Sequence, residues 1–350
     1  MGFFDSLKRN RKAPVTVNSI EKVYAEPEEE AKVVSESDSE VENGAQEEMS
    51  SPAPVDEVAE EQSEEYPDEP VQEKADPVSP RDVKPYSEKK KVDHVIGNTK
   101  IISIINQKGG VGKSTTAVNL SAFLGSMNKQ VLLVDLDPQG NATSGLGIDK
   151  RALEHCVYDV LLNGVEVEDV ILPDITEGLD VIPATINLAG AEVELVSEFA
   201  RENRLKDALG ALRGKYDFII IDCPPSLGLL TINGLVAADS LIIPIQAEFY
   251  ALEGVSKLLD SMKLVQTRLN PALDIYGVLI TMYDSRTTLS KMVSEDVRSF
   301  FGEKVFETPI PRTVKLSEAP SYGMPINEYD PNGKGAQAYK ALAEEVISRG

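Results

Sequence analysis

From Thr99 onward, short apolar runs alternate with longer stretches in which apolar and charged positions are mixed. Residues 101–105, IISII, form a β-branched run of the kind that fits a strand buried on both faces. It breaks into Gly109-Gly110-Val111-Gly112, and a helical pattern follows over 116–127. Residues 130–134, 178–183, 216–221, 241–244, 275–281 and 305–310 read as further strands. Residues 188–212 read as a charged helical stretch, and a helix over 335–348 closes the chain. Strands alternating with helices predict an α/β fold: a doubly wound, mostly parallel sheet with helices on both faces. In such sheets ligands bind at the carboxyl ends of the strands, where the polar motifs of this chain stand.

Composition divides the chain at the same place. Its 350 residues are 41% apolar, enough for a sizeable core, and carry a formal charge of −23. Residues 1–98 hold 25 acids and 12 bases, net −13, which leaves −10 on residues 99–350. The stretch 13–98 is rich in Glu, Pro, Ser and Val and nearly free of aromatics, so it cannot bury enough apolar surface to offset chain entropy. We expect two regions: a disordered acidic extension over 1–98 and one folded domain over 99–350. The first twelve residues, MGFFDSLKRNRK, differ from the rest of the extension. On a helix Phe3, Phe4 and Leu7 share one side beside four basic residues, a pattern that suits docking to a partner or a membrane as well as a frayed terminus.

Cys156 and Cys223 lie far apart without C-x-x-C spacing, which argues against a disulfide framework or a zinc site. His94 and His155 are assigned no role. No apolar run reaches the roughly 18 residues of a membrane span, and no secretory h-region follows the first residues, so a soluble cytoplasmic protein is expected.

Strand, glycine loop and helix start together make a phosphate cradle. Glycines let the backbone approach an anion, successive N–H groups point inward, and the helix N-terminus adds partial positive charge. Gly109, Gly110, Val111, Gly112, Lys113, Ser114 and Thr115 are the residues expected at a bound nucleotide. Lys113 would reach the β- and γ-phosphates, and the Ser114 hydroxyl would sit on Mg²⁺. The strict pattern G-x-x-x-x-G-K-[ST] nevertheless fails, because Gln107 stands where its first glycine belongs. Asp222 ends the apolar run YDFIII about a hundred residues later and is followed by Cys223-Pro224-Pro225. A carboxylate there can hold Mg²⁺ directly or through water, although an aspartate at a strand end is common in α/β proteins.

The string KGGVGKST from Lys108 resembles the deviant Walker A loop of the ParA/MinD family of ATPases. The resemblance extends over about 250 residues. It is closest to the chromosomal ParA/Soj branch, through DLDPQGNATSGLG from Asp135, IDCPPSLG from Ile221 and PIPRTVKLSEAPSYGMPI from Pro309. It implies an ATPase using ATP and Mg²⁺, with catalytic Asp137, Lys108 and Lys113. Asp137 would orient or activate the attacking water, Asp135 would lie nearer the Mg²⁺ shell with Ser114 and Asp222, and Lys108 would reach the nucleotide of a second subunit. Pro311 and Thr313 would border the adenine. Arg286, Arg312 and Lys315 would contact non-specific double-stranded DNA in an ATP-dependent homodimer, and a ParB-like partner would stimulate hydrolysis. The implied place of action is the nucleoid, and the implied role is partition of chromosome or plasmid DNA. A net −10 argues against a broad basic face, so DNA binding would depend on a local stripe and be salt-sensitive.

The alternative is a MinD-like positioning ATPase on a membrane or protein scaffold. The C-terminal AYKALAEEVISRG is too acidic for a basic membrane tail, which leaves residues 1–12 as the candidate anchor. A relative of nitrogenase iron protein would need cluster-ligating cysteines in motifs that are absent here, and a tyrosine kinase of this fold would need a C-terminal tyrosine cluster.

Overall fold

The structure is a computed structural model, and it describes residues 97–249 and 251–349. The acidic extension and its opening basic peptide therefore lie outside the described residues, apart from the exposed Gly97 and Asn98. Seven strands are present: β1 (Lys100–Ile104), β2 (Val131–Asp135), β3 (Leu172–Thr176), β4 (Leu179–Ile182), β5 (Phe218–Asp222), β6 (Ser240–Gln246) and β7 (Asp274–Thr281). The helices before β5 are α1 (Lys113–Ser126), α2 (Asn141–Gly145), α3 (Val167–Val170), α4 (Leu188–Glu194) and α5 (Arg204–Gly210). After it come α6 (Leu229–Ala237), α7 (Glu253–Arg268), α8 (Thr288–Phe301), α9 (Val314–Glu318), α10 (Ile326–Tyr329) and α11 (Lys334–Ser348).

All seven strands form one sheet in the order β3-β4-β2-β5-β1-β6-β7, parallel except for the antiparallel edge strand β3. The central strands VLLVD and FIIID are buried at every position, as strands covered on both faces must be. Because side chains alternate, Leu132, Val134, Ile219 and Ile221 enter one core with α4 to α8, while Val131, Leu133, Phe218 and Ile220 enter the other with α1 and α11. The doubly wound sheet expected from the sequence is therefore observed. Its order brings the carboxyl ends of β2, β5 and β1 side by side, with Asp135 and Ile104 both in register with Asp222.

Two expected elements differ, and one strand is additional. Residues 305–310 are not a strand: single bridges at Val305 and Pro311 join this segment to the end of the sheet, and Pro309 and Pro311 have no N–H to extend a ladder. The helical stretch 188–212 is broken into α4, a 3₁₀ turn over Leu195–Ser197, and α5, with Ala200 at φ 50° between them. Strand β3 was not anticipated. Pro173 and a left-handed Asp174 (φ 54°) disguise it, as they can only at a sheet edge.

Candidate functional site

The loop between β1 and α1 carries Gly110 at φ 73° and Gly112 at φ 89°, conformations open to glycine and strained for other residues. These turns bring the chain back so that α1 begins at Lys113 with its N-terminus at the loop. Two side chains outside the motif hold the loop from either side. Buried Asn106 donates from Nδ2 to the Pro244 carbonyl (2.7 Å) on β6 and accepts the Lys108 N–H at Oδ1 (2.9 Å). Thr281, the last residue of β7, donates its hydroxyl to the Val111 carbonyl at 2.8 Å.

Lys113 is buried and its Nζ donates to the Lys108 carbonyl at 3.3 Å. Burial lowers its pKa, with the negative charges of Asp222 and then Asp137 acting in the opposite direction. Lys108, Gly109 and Gly110 are exposed, and Ser114 and Thr115 are half-buried.

Asp222 is fully buried, yet neither carboxylate oxygen has a hydrogen-bond partner among the described residues. Burial, then the neighbouring Asp135, pushes its pKa well above the usual carboxylate range; Ser114 and Lys113 lie close enough to oppose this, less strongly. Asp135 is placed differently. Its Oδ2 accepts from the Thr143 N–H (2.8 Å) and hydroxyl (2.7 Å), and its Oδ1 accepts from the Asp137 N–H (3.2 Å). Burial raises it to about 6 against those hydrogen bonds. Thr143 in turn accepts the Ala184 N–H at 2.9 Å, tying α2 to the segment just after β4. Asp137 is buried and accepts the Gln139 N–H at 2.9 Å. Gly140 closes this loop at φ 59°, where a Cβ would stand 2.8 Å from the Ala184 carbonyl.

An orphaned buried carboxylate, a hydroxyl and a cationic phosphate loop form an all-oxygen, anion-receptive set that fits Mg²⁺ carried by a nucleotide. Among the described residues no three His, Cys, Asp or Glu side chains make a metal cluster. Mg²⁺ shared with phosphates needs only one or two carboxylates from the protein.

A family model described as an AAA domain matches residues 99–275. The sporulation initiation inhibitor protein Soj of Bacillus subtilis is 61% identical over 251 residues, covering 72% of this chain and 99% of that protein. The chromosome partitioning protein ParA of Myxococcus xanthus is 53% identical over 250 residues, covering 71% of this chain and 88% of that one. The chain belongs to the ParA/Soj family of partition ATPases. A solved structure of the same fold, a cobyrinic acid a,c-diamide synthase from Mycobacterium smegmatis with bound ADP and magnesium, superposes with a TM-score of 0.63 at 43% identity, covering 71% of this chain and 94% of that one.

In this ParA/Soj chain the segment after β7 runs beside residues 310–312: the Tyr283 N–H donates to the Ile310 carbonyl (2.9 Å) and the Arg312 N–H to the Tyr283 carbonyl (3.2 Å). Pro311 is half-buried there, and the Thr313 hydroxyl caps α9 by accepting the Leu316 N–H. The three cations expected at DNA are exposed, and each faces a carboxylate. Arg286 makes a two-pronged pair with Asp284 (2.9 and 2.7 Å), Lys315 meets Glu318 at 2.9 Å, and Arg312 lies 3.9 Å from Glu248. Exposed pairs of this kind contribute little and are screened by salt, so a phosphate can compete for the cation. Asn106, Thr143 and Thr281 are the structural supports that motif reading did not single out.

Proposed function

We propose that this chain is a Mg²⁺-dependent ATPase that pairs with a second copy in the ATP state and, as that dimer, binds duplex DNA without sequence preference. A ParB-like partner stimulates hydrolysis and releases it, so that chromosome or plasmid DNA is partitioned at the nucleoid. The observation that carries the ATPase part is the buried, unpartnered Asp222 carboxylate beside Lys113 and Ser114. Such a group is costly unless a cation meets it.

Ser114 and Asp222, with Asp135 behind them, would hold the metal. Bound Mg²⁺ supplies charge neutralisation at the β- and γ-phosphate oxygens. The N–H groups of 109–115 cradle the phosphates, and Lys113 supplies positive charge where it builds up. Asp137 orients the attacking water and draws on its proton. Pro311 and Thr313 border the adenine. Lys108, whose exposure leaves it free to reach outward, serves the nucleotide of a second copy. Exposed Ile186, Val193, Val196 and Phe199 near α4 support self-association. Arg286, Arg312 and Lys315 take the DNA phosphates.

Phosphate release and ATP-dependent dimerisation, measured together in wild type, Asp137→Ala and Lys108→Ala, test this reading. Chelating Mg²⁺ is expected to stop turnover. Asp137→Ala should still bind ATP but hydrolyse it about 100-fold more slowly or worse, in line with the worth of general-base groups. Lys108→Ala should bind nucleotide and sediment as a monomer. Undiminished turnover in Asp137→Ala, or normal dimers of Lys108→Ala, removes the residue concerned from its role.

A further inference from the structure

The hydroxyl of Thr281 is buried, lies at the end of β7, and is spent on a backbone atom of the phosphate loop rather than on its own strand. It donates to the Val111 carbonyl at 2.8 Å, between the two left-handed glycines, and a Cβ on Gly112 would sit 3.8 Å from its methyl group. In a trans peptide the carbonyl and the next N–H point in opposite directions. Holding the Val111 carbonyl toward β7 therefore turns the Gly112 N–H the other way.

The residues immediately after Thr281 lead to the surface without slack. Met282 has φ 52°, a left-handed conformation that non-glycine residues hold only when the surroundings enforce it. Tyr283 is bound on both sides to the 310–312 segment. Asp284 grips Arg286 through Nε and Nη2 and also accepts the Arg286 N–H at 3.0 Å. The Arg286 side chain is 88% exposed, and Arg312 lies close enough to Asp284 to help hold its carboxyl down at about 2, behind the larger effect of Arg286 itself. This fork has two natural arrangements, because a phosphate oxygen pair and the Asp284 carboxylate offer the same guanidinium edge the same geometry.

We propose that Thr281 is a positioning residue that couples the phosphate loop to the Asp284–Arg286 fork, so that nucleotide in the loop biases whether Arg286 is closed on Asp284 or offered to a DNA phosphate. The inference rests on the DNA-binding reading above and adds its regulation. Coupling needs an element with two arrangements that both sites bias, and the fork reached through Thr281, Met282 and Tyr283 is that element.

The test uses full-length wild type, Thr281→Val, which loses the donor at nearly constant shape, and Thr281→Ser, which keeps it. Thr281→Cys, a much weaker donor of similar size, stands in should Thr281→Val fail to fold. Affinity for a non-specific duplex is measured at saturating non-hydrolysable ATP analogue and at saturating ADP, so that the readout is a ratio independent of nucleotide affinity. Amide hydrogen exchange over 282–287 is followed in the same states without DNA. Thr281→Val is expected to shrink the ATP-over-ADP preference by about fivefold or more, and to lose the nucleotide response of 282–287; Thr281→Ser should keep both. A Thr281→Val protein with the wild-type ratio and response overturns the proposal, and so does a wild-type loop whose exchange ignores nucleotide. A wild-type loop that responds, in a protein that binds no duplex, supports the coupling and fails the DNA reading instead.

Discussion

Asp135 and Asp222 face each other across adjacent strand ends with no water-exposed surface, and only Asp135 has its charge met by hydrogen bonds. Burial raises both, Asp135 to about 6 from its ordinary 3.8. A carboxyl raised on folding takes up a proton, so its contribution is fully present below the unfolded value near 4 and is lost as pH rises through about 6. Metal-free protein should therefore lose stability across that window. Asp222→Asn keeps the shape and removes the charge. It is expected to stabilise the metal-free protein at pH 7.5 by about 1–3 kcal/mol, a rise of about 2–4 °C in Tm per kcal/mol, to lessen the loss of stability with rising pH, and to abolish turnover. Thermal melts in chelator check this, and a destabilised Asp222→Asn would show that the carboxylate is already satisfied. Lys113 and Ser114 were legible in the sequence because a phosphate loop demands them at fixed spacing after its glycines, and Asp222 because it ends an apolar strand run. Asn106, Thr143 and Thr281 were not, since each has a partner, 138, 41 and 170 residues away respectively, that only the fold brings near.

At the scale of elements, the central strands could be read from continuous apolar runs because burial on both faces removes any polar alternation. The break in 188–212 could not. No proline lies inside that run, and what breaks it comes from α6: buried Asn233 accepts the Leu205 N–H at 3.1 Å, opening α5, and donates to the Arg201 carbonyl at 2.8 Å. Asn233→Ala would leave both groups unpaired. We expect a loss of about 1–3 kcal/mol, with faster amide exchange over 201–210 and little change around α1. Denaturant unfolding and exchange mapping measure both, and an unaltered α5 would mean that local propensity alone sets the break. Residues 305–310 misled for the opposite reason: they are largely apolar and lie along β7, but Pro309 within them and Pro311 just after limit the segment to isolated bridges.

For the whole molecule, fold class and family were readable because the motifs after β1, β2 and β5 agree with one another, and the sheet order places the carboxyl ends of these central strands side by side. Charge was the less transparent property. The chain carries −23, of which −13 falls on residues 1–98, so the proposed DNA contact would rest on local cations such as Arg286, Arg312 and Lys315, each of which already faces a carboxylate. Three cations on each of two copies would give six phosphate contacts, and affinity should then fall on the order of 10³-fold between 50 and 200 mM salt. Removing residues 1–98 should tighten binding at low salt and matter less at high salt. The most direct measurement is the affinity of the full chain for a non-specific duplex with ATP and with ADP at those two salt concentrations, alongside Arg286→Glu. Tight binding that needs ATP, weakens steeply with salt and is lost in Arg286→Glu is the predicted result. Equal affinity with ATP and ADP, or no binding at low salt with either, would contradict a DNA-riding partition ATPase.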